Sequence, residues 1–127
     1  MTTKAPHIFR SPNRNEYWLG ERIYVRELMN SPDEPDMSLA MCRVPVGVTT
    51  QLHSLSILEW YILESGCGLM EIDGQTATMK VGDCVRIKPG QSQRITNKGK
   101  IDLIFQSICR PRFTPDTYTN LENEDES

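Results

Sequence analysis

The chain has 127 residues, of which 38% are hydrophobic, and its formal charge at pH 7 is −3. This length fits one domain with its own core, and the negative charge, without a nucleic-acid-binding motif, argues against a nucleic-acid-binding protein. No apolar run approaches the roughly 18 residues of a membrane helix, and the first residues lack the apolar segment of a signal peptide. We therefore expect a cytoplasmic protein that does not bind membranes and whose four cysteines are free thiols.

The chain begins with a polar segment and continues as a series of short β-type runs. Residues 1–15 contain two prolines and are expected to form a flexible N-terminal arm. A barrel domain is predicted over 16–115. Residues 116–127 hold five acids and no Lys or Arg, and we expect an acidic C-terminal tail there. The predicted strands cover residues 22–29, 37–44, 58–64, 67–72, 76–80, 83–88, 92–97 and 101–109.

These runs predict an all-β fold. The turn signals between them include Asp73-Gly74, which is typical of a tight hairpin, and no segment keeps a helical period. Many short strands in roughly 90 residues are typical of a β-sandwich or a small antiparallel barrel. Such a barrel leaves an interior that can hold a small ligand.

Two segments carry a pattern of glycines and polar residues. They resemble the two motifs of the cupin superfamily, G-x5-H-x-H-x3/4-E-x6-G and G-x5-P-x-G-x2-H-x3-N. Three positions depart from the pattern: Leu55 and Gln93 replace histidines, and Lys88 replaces a proline. The matching positions are Gly47, His53, Glu59, Gly66, Gly82, Gly90 and Asn97. The resemblance covers about residues 20–110 and implies a single-domain cupin jelly-roll β-barrel of the short microbial, RmlC-like type.

The resemblance also implies a site at one mouth of the barrel. In the full family pattern, three His and one Glu converge on a divalent metal. Carried over to this chain, the metal ligands are His53, Glu59 and Gln93, and the cofactor would be Zn, Fe, Mn or Ni. The alternative is that these three side chains satisfy one another by hydrogen bonds without a metal. Gln51 and Tyr61 share the faces of His53 and Glu59, respectively, because strand residues two apart point the same way, so both are candidate ligand contacts together with Gln93.

Two functions stay open at this point. In the first, the protein is an enzyme acting on a small metabolite, with His53 and Glu59 as catalytic residues of an isomerase, dioxygenase, lyase or cyclase. In the second, it is a ligand-binding or sensor barrel without catalysis or metal. A third hypothesis, a purely structural dimer, leaves the inward polar residues unexplained.

Two further features concern ligand and partner. The stretch between Arg86 and Arg112 holds seven basic residues and one acid. This stretch is either a solvated face or a surface that attracts an anionic small molecule. Trp60 and Ile62 form an apolar strand face, and short cupins are commonly dimers, so we expect a homodimer.

Overall fold

The computed structural model describes residues 5–11 and 15–122, and within these ranges the chain folds into two antiparallel sheets. A 3₁₀ turn, Pro115–Thr117, precedes the last strand, and no described helix is long and apolar enough to cross a membrane. The strands are β1 (Tyr17–Leu19), β2 (Ile23–Met29), β3 (Ser38–Val44), β4 (His53–Leu55), β5 (Leu58–Ser65), β6 (Gly68–Ile72), β7 (Gln75–Met79), β8 (Cys84–Ile87), β9 (Ser92–Asn97), β10 (Leu103–Arg110) and β11 (Tyr118–Asn120).

The two sheets pack face to face around one main core. One sheet has the order β1-β2-β3-β10-β5-β8 and the other β11-β4-β9-β6-β7. Along β5, β9 and β10 every second residue is buried, as expected for strands with one face on a core. Leu63, Phe105 and Ile95 are each 1% exposed at the centre of this core. The all-β jelly-roll prediction is confirmed.

The predicted strands lie close to the observed ones, and the run 92–97 coincides with β9. Two short strands, β1 and β11, were not predicted, and β4 was expected only from the first motif, which places His53 and Leu55 on one strand face. Each has three residues, which is too short for an alternating pattern to identify.

The segment expected to be an acidic tail begins with part of the fold. Strand β11 pairs with β4, so that Tyr118 lies opposite Leu55 and Asn120 opposite His53. The five-stranded sheet therefore extends past the predicted boundary at residue 115. Four of the five acids of 116–127 follow β11. Residues 123–127, like 1–4 and 12–14 of the arm, lie outside the described residues.

The glycine that ends the first motif segment has a local steric reason. Gly66 has a φ of +86°, a conformation that residues with side chains disfavour. A Cβ atom built there would lie 2.9 Å from the backbone oxygen of Asp102. The turn after β5 thus requires glycine for both its conformation and its close approach to the segment before β10.

A candidate site between the two sheets

A cavity of about 120 Å³ lies between the sheets, next to the short strand β4. Its volume is slightly below that of a cavity of roughly 150 Å³ known to hold benzene, so it suits a ligand with few non-hydrogen atoms. Apolar side chains such as Ile23 and Leu55 form part of its wall. Its polar lining includes Glu21, Glu27, His53, Glu59, Tyr61 and Ser107.

Glu59 enters the cavity from β5, where it lies opposite Cys109 of β10. It is 6% exposed, and both carboxyl oxygens accept hydrogen bonds. Gln93 Nε2 donates to Oε1 at 2.9 Å, and Ser107 Oγ donates to Oε2 at 2.6 Å. Burial raises the pKa of Glu59, and the hydrogen bonds from Ser107 and Gln93 oppose that rise. The site therefore favours a proton on this carboxyl more than water does.

Gln93 lies behind the cavity wall and joins two of its side chains. It is fully buried, and its position on β9 is directly opposite His53 of β4. The Tyr61 hydroxyl donates to Gln93 Oε1 at 2.8 Å, while Gln93 Nε2 donates to Glu59. Both polar ends of the amide are therefore engaged. Tyr61 itself lines the cavity, as its predicted face requires.

His53 has one ring nitrogen engaged and the other free. Its Nδ1 lies 2.8 Å from the backbone oxygen of Gln51, which can only accept, so Nδ1 carries the proton. Burial lowers the pKa of His53, opposed by the bond to Gln51, and the ring is favoured in its neutral form. Nε2 then offers a lone pair. It has no hydrogen-bond partner among the described residues, and the His53 ring is part of the cavity lining.

Gln51 supports the cavity from outside its wall. Its carbonyl holds His53, and its side-chain oxygen accepts a hydrogen bond from the Tyr118 hydroxyl. The Tyr118 ring stacks on His53 with centroids 4.6 Å apart and an interplanar angle of 12°. Gln51 is not among the described lining residues, and its two oxygens hold His53 and Tyr118 in place.

Several lining residues were not identified from the sequence, among them Ser107, Glu21, Glu27 and Tyr118. Alternation along β10 could have found Ser107, because residues 103, 105, 107 and 109 all point inward. Glu21 precedes β2 and Glu27 lies on it, and the mixed polarity of this strand does not show which side chains face inward. Tyr118 lies in the expected tail, where no inward face was predicted. Burial and the nearby Glu59 carboxyl raise the pKa of Glu21.

The charge of the cavity disfavours an anionic ligand. Three glutamates line it, and no described lysine or arginine does. The basic stretch between 86 and 112 lies elsewhere: Arg94 forms an ion pair with Glu71 at 2.9 Å, and Arg86 lies over the Trp60 ring. Each arginine is next to a buried residue on its strand, and neighbouring strand residues point to opposite faces, so both arginines point outward. The basic stretch was interpreted either as a solvated face or as a surface that attracts an anionic small molecule. The outward arginines favour the solvated face.

The donor set does not fit a divalent metal. Such an ion needs several side-chain donors aimed at one point. Of the three predicted ligands only His53 offers an unengaged donor, since Gln93 is bonded to Tyr61 and both Glu59 oxygens accept hydrogen bonds. Within residues 5–11 and 15–122, no group of three or more His, Cys, Asp or Glu side chains is placed to hold a metal ion.

Cys109 is close to the site but is a poor nucleophile. Its sulfur lies 3.8 Å from Glu59 Oε2, and burial followed by the Glu59 charge raises the pKa of the thiol to about 12. The thiolate, which is the reactive form, is therefore scarce at neutral pH.

Replacing one cavity residue should create a metal site. Leu55 lies two residues from His53 on β4 and lines the cavity, so Leu55→His adds an imidazole on the same face. We expect Zn²⁺ affinity, measured by calorimetry, to rise at least about tenfold over the unaltered protein. Leu52→His, which adds the imidazole outside the cavity lining, is the control. Equal affinities for the two variants, with both folded by circular dichroism, would contradict the placement of residue 55.

The buried carboxyl should make folding stability depend on pH. The pKa of Glu59 is higher in the folded than in the unfolded state. Its stabilising contribution to the free energy of unfolding is therefore complete below the ordinary pKa of 4.5 and is lost as the pH rises through the folded-state pKa. Glu59→Gln keeps the size of the side chain but cannot ionise, so the variant does not lose stability as the pH rises. We expect the variant to gain about 0.5–2 kcal/mol over the unaltered protein by pH 8, and little at pH 4, in urea unfolding. Glu64→Gln, at an exposed carboxylate of the same strand, should show no such pH-dependent gain.

Comparisons with known proteins agree with the fold and the motif positions. A profile of the cupin domain matches residues 40–109. An uncharacterized protein of Methanocaldococcus jannaschii, MJ1618, is 35% identical over 102 residues, which are 77% of this chain and 81% of that protein.

Solved structures show the same fold at lower identity. A predicted oxalate decarboxylase from Thermotoga maritima has a TM-score of 0.71 and 22% identity, covering 83% of this chain and 99% of that one. A variant of the Streptomyces protein PAC13, solved with uridine, has a TM-score of 0.73 and 13% identity, covering 96% of this chain and 93% of that one. The profile spans more than half of the chain, and the archaeal relative exceeds 30% identity over most of it. The chain therefore belongs to the cupin family.

Proposed function

We propose that this protein binds a small molecule in the cavity and moves a proton on it, with Glu59 and His53 as the catalytic pair. The observation that carries the proposal is that a buried carboxyl and a buried imidazole line the same cavity, and the directions of their pKa shifts agree with an acid and a base. The pKa of Glu59 is raised, which favours a proton donor, and that of His53 is lowered, which favours a neutral acceptor. Both side chains line the same cavity. Acid and base roles are commonly divided in this way between two groups of one site.

The surrounding residues would hold the pair in place. Ser107 and the Tyr61–Gln93 unit orient the Glu59 carboxyl, and the Gln51 carbonyl sets the His53 tautomer. Fixed groups of this kind lower the cost of reaching a reactive geometry. Proton transfer of this type serves an isomerase, lyase or cyclase step. The uridine in the PAC13 structure supports a small-molecule ligand for a barrel of this shape.

A ligand-binding barrel without catalysis is the second candidate. The saturated hydrogen bonding of Glu59 favours it, because a carboxyl held by both oxygens also serves as a fixed structural group. The two candidates differ in whether a proton is exchanged with a bound compound.

Proton exchange in heavy water separates the candidates. Compounds that raise the unfolding temperature in a metabolite screen would be incubated with the protein in D₂O and followed by proton NMR. We expect a bound compound to be converted or to take up deuterium, and Glu59→Gln to slow this by about 100-fold or more while still binding. Glu71→Gln, on the outer surface, is the control. Bound compounds that neither react nor exchange would favour the second candidate, and a screen without any bound compound would contradict both.

We also propose that the protein is a homodimer formed through the outer face of the six-stranded sheet. On this face Trp60 lies opposite Ile108, and Gln106 lies between Ile62 and Met41. All five side chains are half-buried and alternate with the inward-facing residues of their strands. A twofold axis would place two such faces together, since a C2 interface uses the same surface twice.

A charge placed in this face should separate the protomers. Trp60→Glu is expected to halve the mass measured by light scattering at roughly 20 μM, a concentration at which a stable dimer is assembled. Val81→Glu, at an exposed turn residue, is the control for an added charge. A monomeric mass for the unaltered protein would contradict the proposed dimer.

A further inference from the structure

The hydrogen-bond donors around the cavity are largely used by the protein itself. The Tyr61 hydroxyl donates to Gln93, the Tyr118 hydroxyl to Gln51, and the Ser107 hydroxyl to Glu59. The Asn30 amide donates to the Phe113 carbonyl at 2.9 Å. Among the described lining residues, the hydroxyls left to donate are those of Tyr17 and Thr50, because Ser38 is hydrogen-bonded to the Cys109 thiol. A ligand therefore finds few donors.

The acceptors of the cavity are largely unused. His53 is only 7% exposed; its Nδ1 lies 2.8 Å from the Gln51 backbone oxygen, and its Nε2 meets no partner in the part of the chain that the structure describes. The Glu21 carboxyl accepts no hydrogen bond from described residues, and Glu27 has one contact, at 3.5 Å from Asn30. The cavity thus requires a ligand that donates.

The charge of the cavity lining narrows the class of hydrogen-bond-donating ligands further. Glu21 and Glu27 contribute up to two negative charges beside the Glu59 carboxyl, and within residues 5–11 and 15–122 no lysine or arginine lines the cavity to balance them. Carboxyls kept together without a cation are costly in a partly buried site. A positively charged ligand would offset this cost, whereas a negatively charged one would add to it.

The aromatic wall suits the same kind of ligand. Tyr17, Tyr61, Phe113 and Tyr118 line the cavity together with the His53 ring. Aromatic faces attract cations within about 6 Å and also pack against a short carbon chain. The volume of about 120 Å³ limits that chain to a few carbons.

We infer that the natural ligand is a small ammonium ion, a protonated primary or secondary amine whose N–H groups bond to His53 Nε2 and the glutamate oxygens. This inference rests on the proposed function, whose ligand it assigns to a chemical class. A quaternary ammonium has no N–H group and would leave the acceptors unpaired. A ligand with a carboxylate would be repelled by the glutamates that line the cavity.

Three probes of equal chain length test the assignment: n-butylammonium, 1-butanol and butyrate, at matched ionic strength. The His53 ring signals, followed by NMR, report binding in the cavity. We expect saturable shifts with butylammonium, at least tenfold weaker binding of 1-butanol, and no saturable shift with butyrate. Glu21→Gln should weaken butylammonium about tenfold, the scale of one charge-assisted hydrogen bond, and leave 1-butanol unchanged.

Two controls keep the result interpretable. Glu27→Gln is a second cavity variant for the case in which Glu21→Gln does not fold, and Glu71→Gln removes the same charge outside the cavity and should change nothing. Binding of 1-butanol or butyrate as tight as that of butylammonium would overturn the assignment and leave the proposed proton transfer standing. Absence of any shift with all three probes would also overturn it. The D₂O exchange experiment then decides the proposed function separately.

Discussion

A single buried amide connects the two sheets at the site. Gln93 belongs to the five-stranded sheet, and its two polar ends bond to Tyr61 and Glu59 of the six-stranded sheet. Ser107 completes the chain from the far side of Glu59. Each member is buried, so loss of one partner would leave another without a hydrogen bond, at a cost of about 1–3 kcal/mol. The geometry of the cavity depends on this series of hydrogen bonds, because the bonds fix the Glu59 carboxyl that enters the cavity.

The presence of glutamine instead of histidine at residue 93 changes how the buried acid is satisfied. An amide has a donor and an acceptor, so Gln93 can serve Glu59 and Tyr61 at once. A buried carboxyl can be satisfied by a cation or by neutral donors, and this chain supplies neutral donors. Leu55, at the other position where the family pattern has histidine, adds an apolar wall. The two departures together remove two imidazole donors from the family pattern, which agrees with the proposed proton transfer.

The end of the described chain closes one side of the cavity. The Glu122 carboxylate bonds to Arg22 and accepts a hydrogen bond from the Leu52 backbone at 3.0 Å, next to the start of β4. This anchor follows β11, whose Tyr118 stacks on His53. A segment with the composition of a tail thus positions one member of the proposed catalytic pair. The anchor gives the acidic Glu122 a defined structural role.

The strand-rich fold and the approach of His53, Glu59 and Gln93 could be predicted from the amino-acid sequence, because strand alternation and motif spacing are local properties that need no knowledge of the partners. Opposite positions in an antiparallel pair share a face, so the register of His53 with Gln93 agrees with the same pattern. The folded chain was needed to see that Gln93 lies behind the cavity wall, that Tyr118 packs on His53, and that Glu21 and Glu27 supply the charge of the cavity. These outcomes depend on contacts between residues far apart in the chain, such as Tyr61 with Gln93 or β11 with β4, which leave no periodic trace in the sequence.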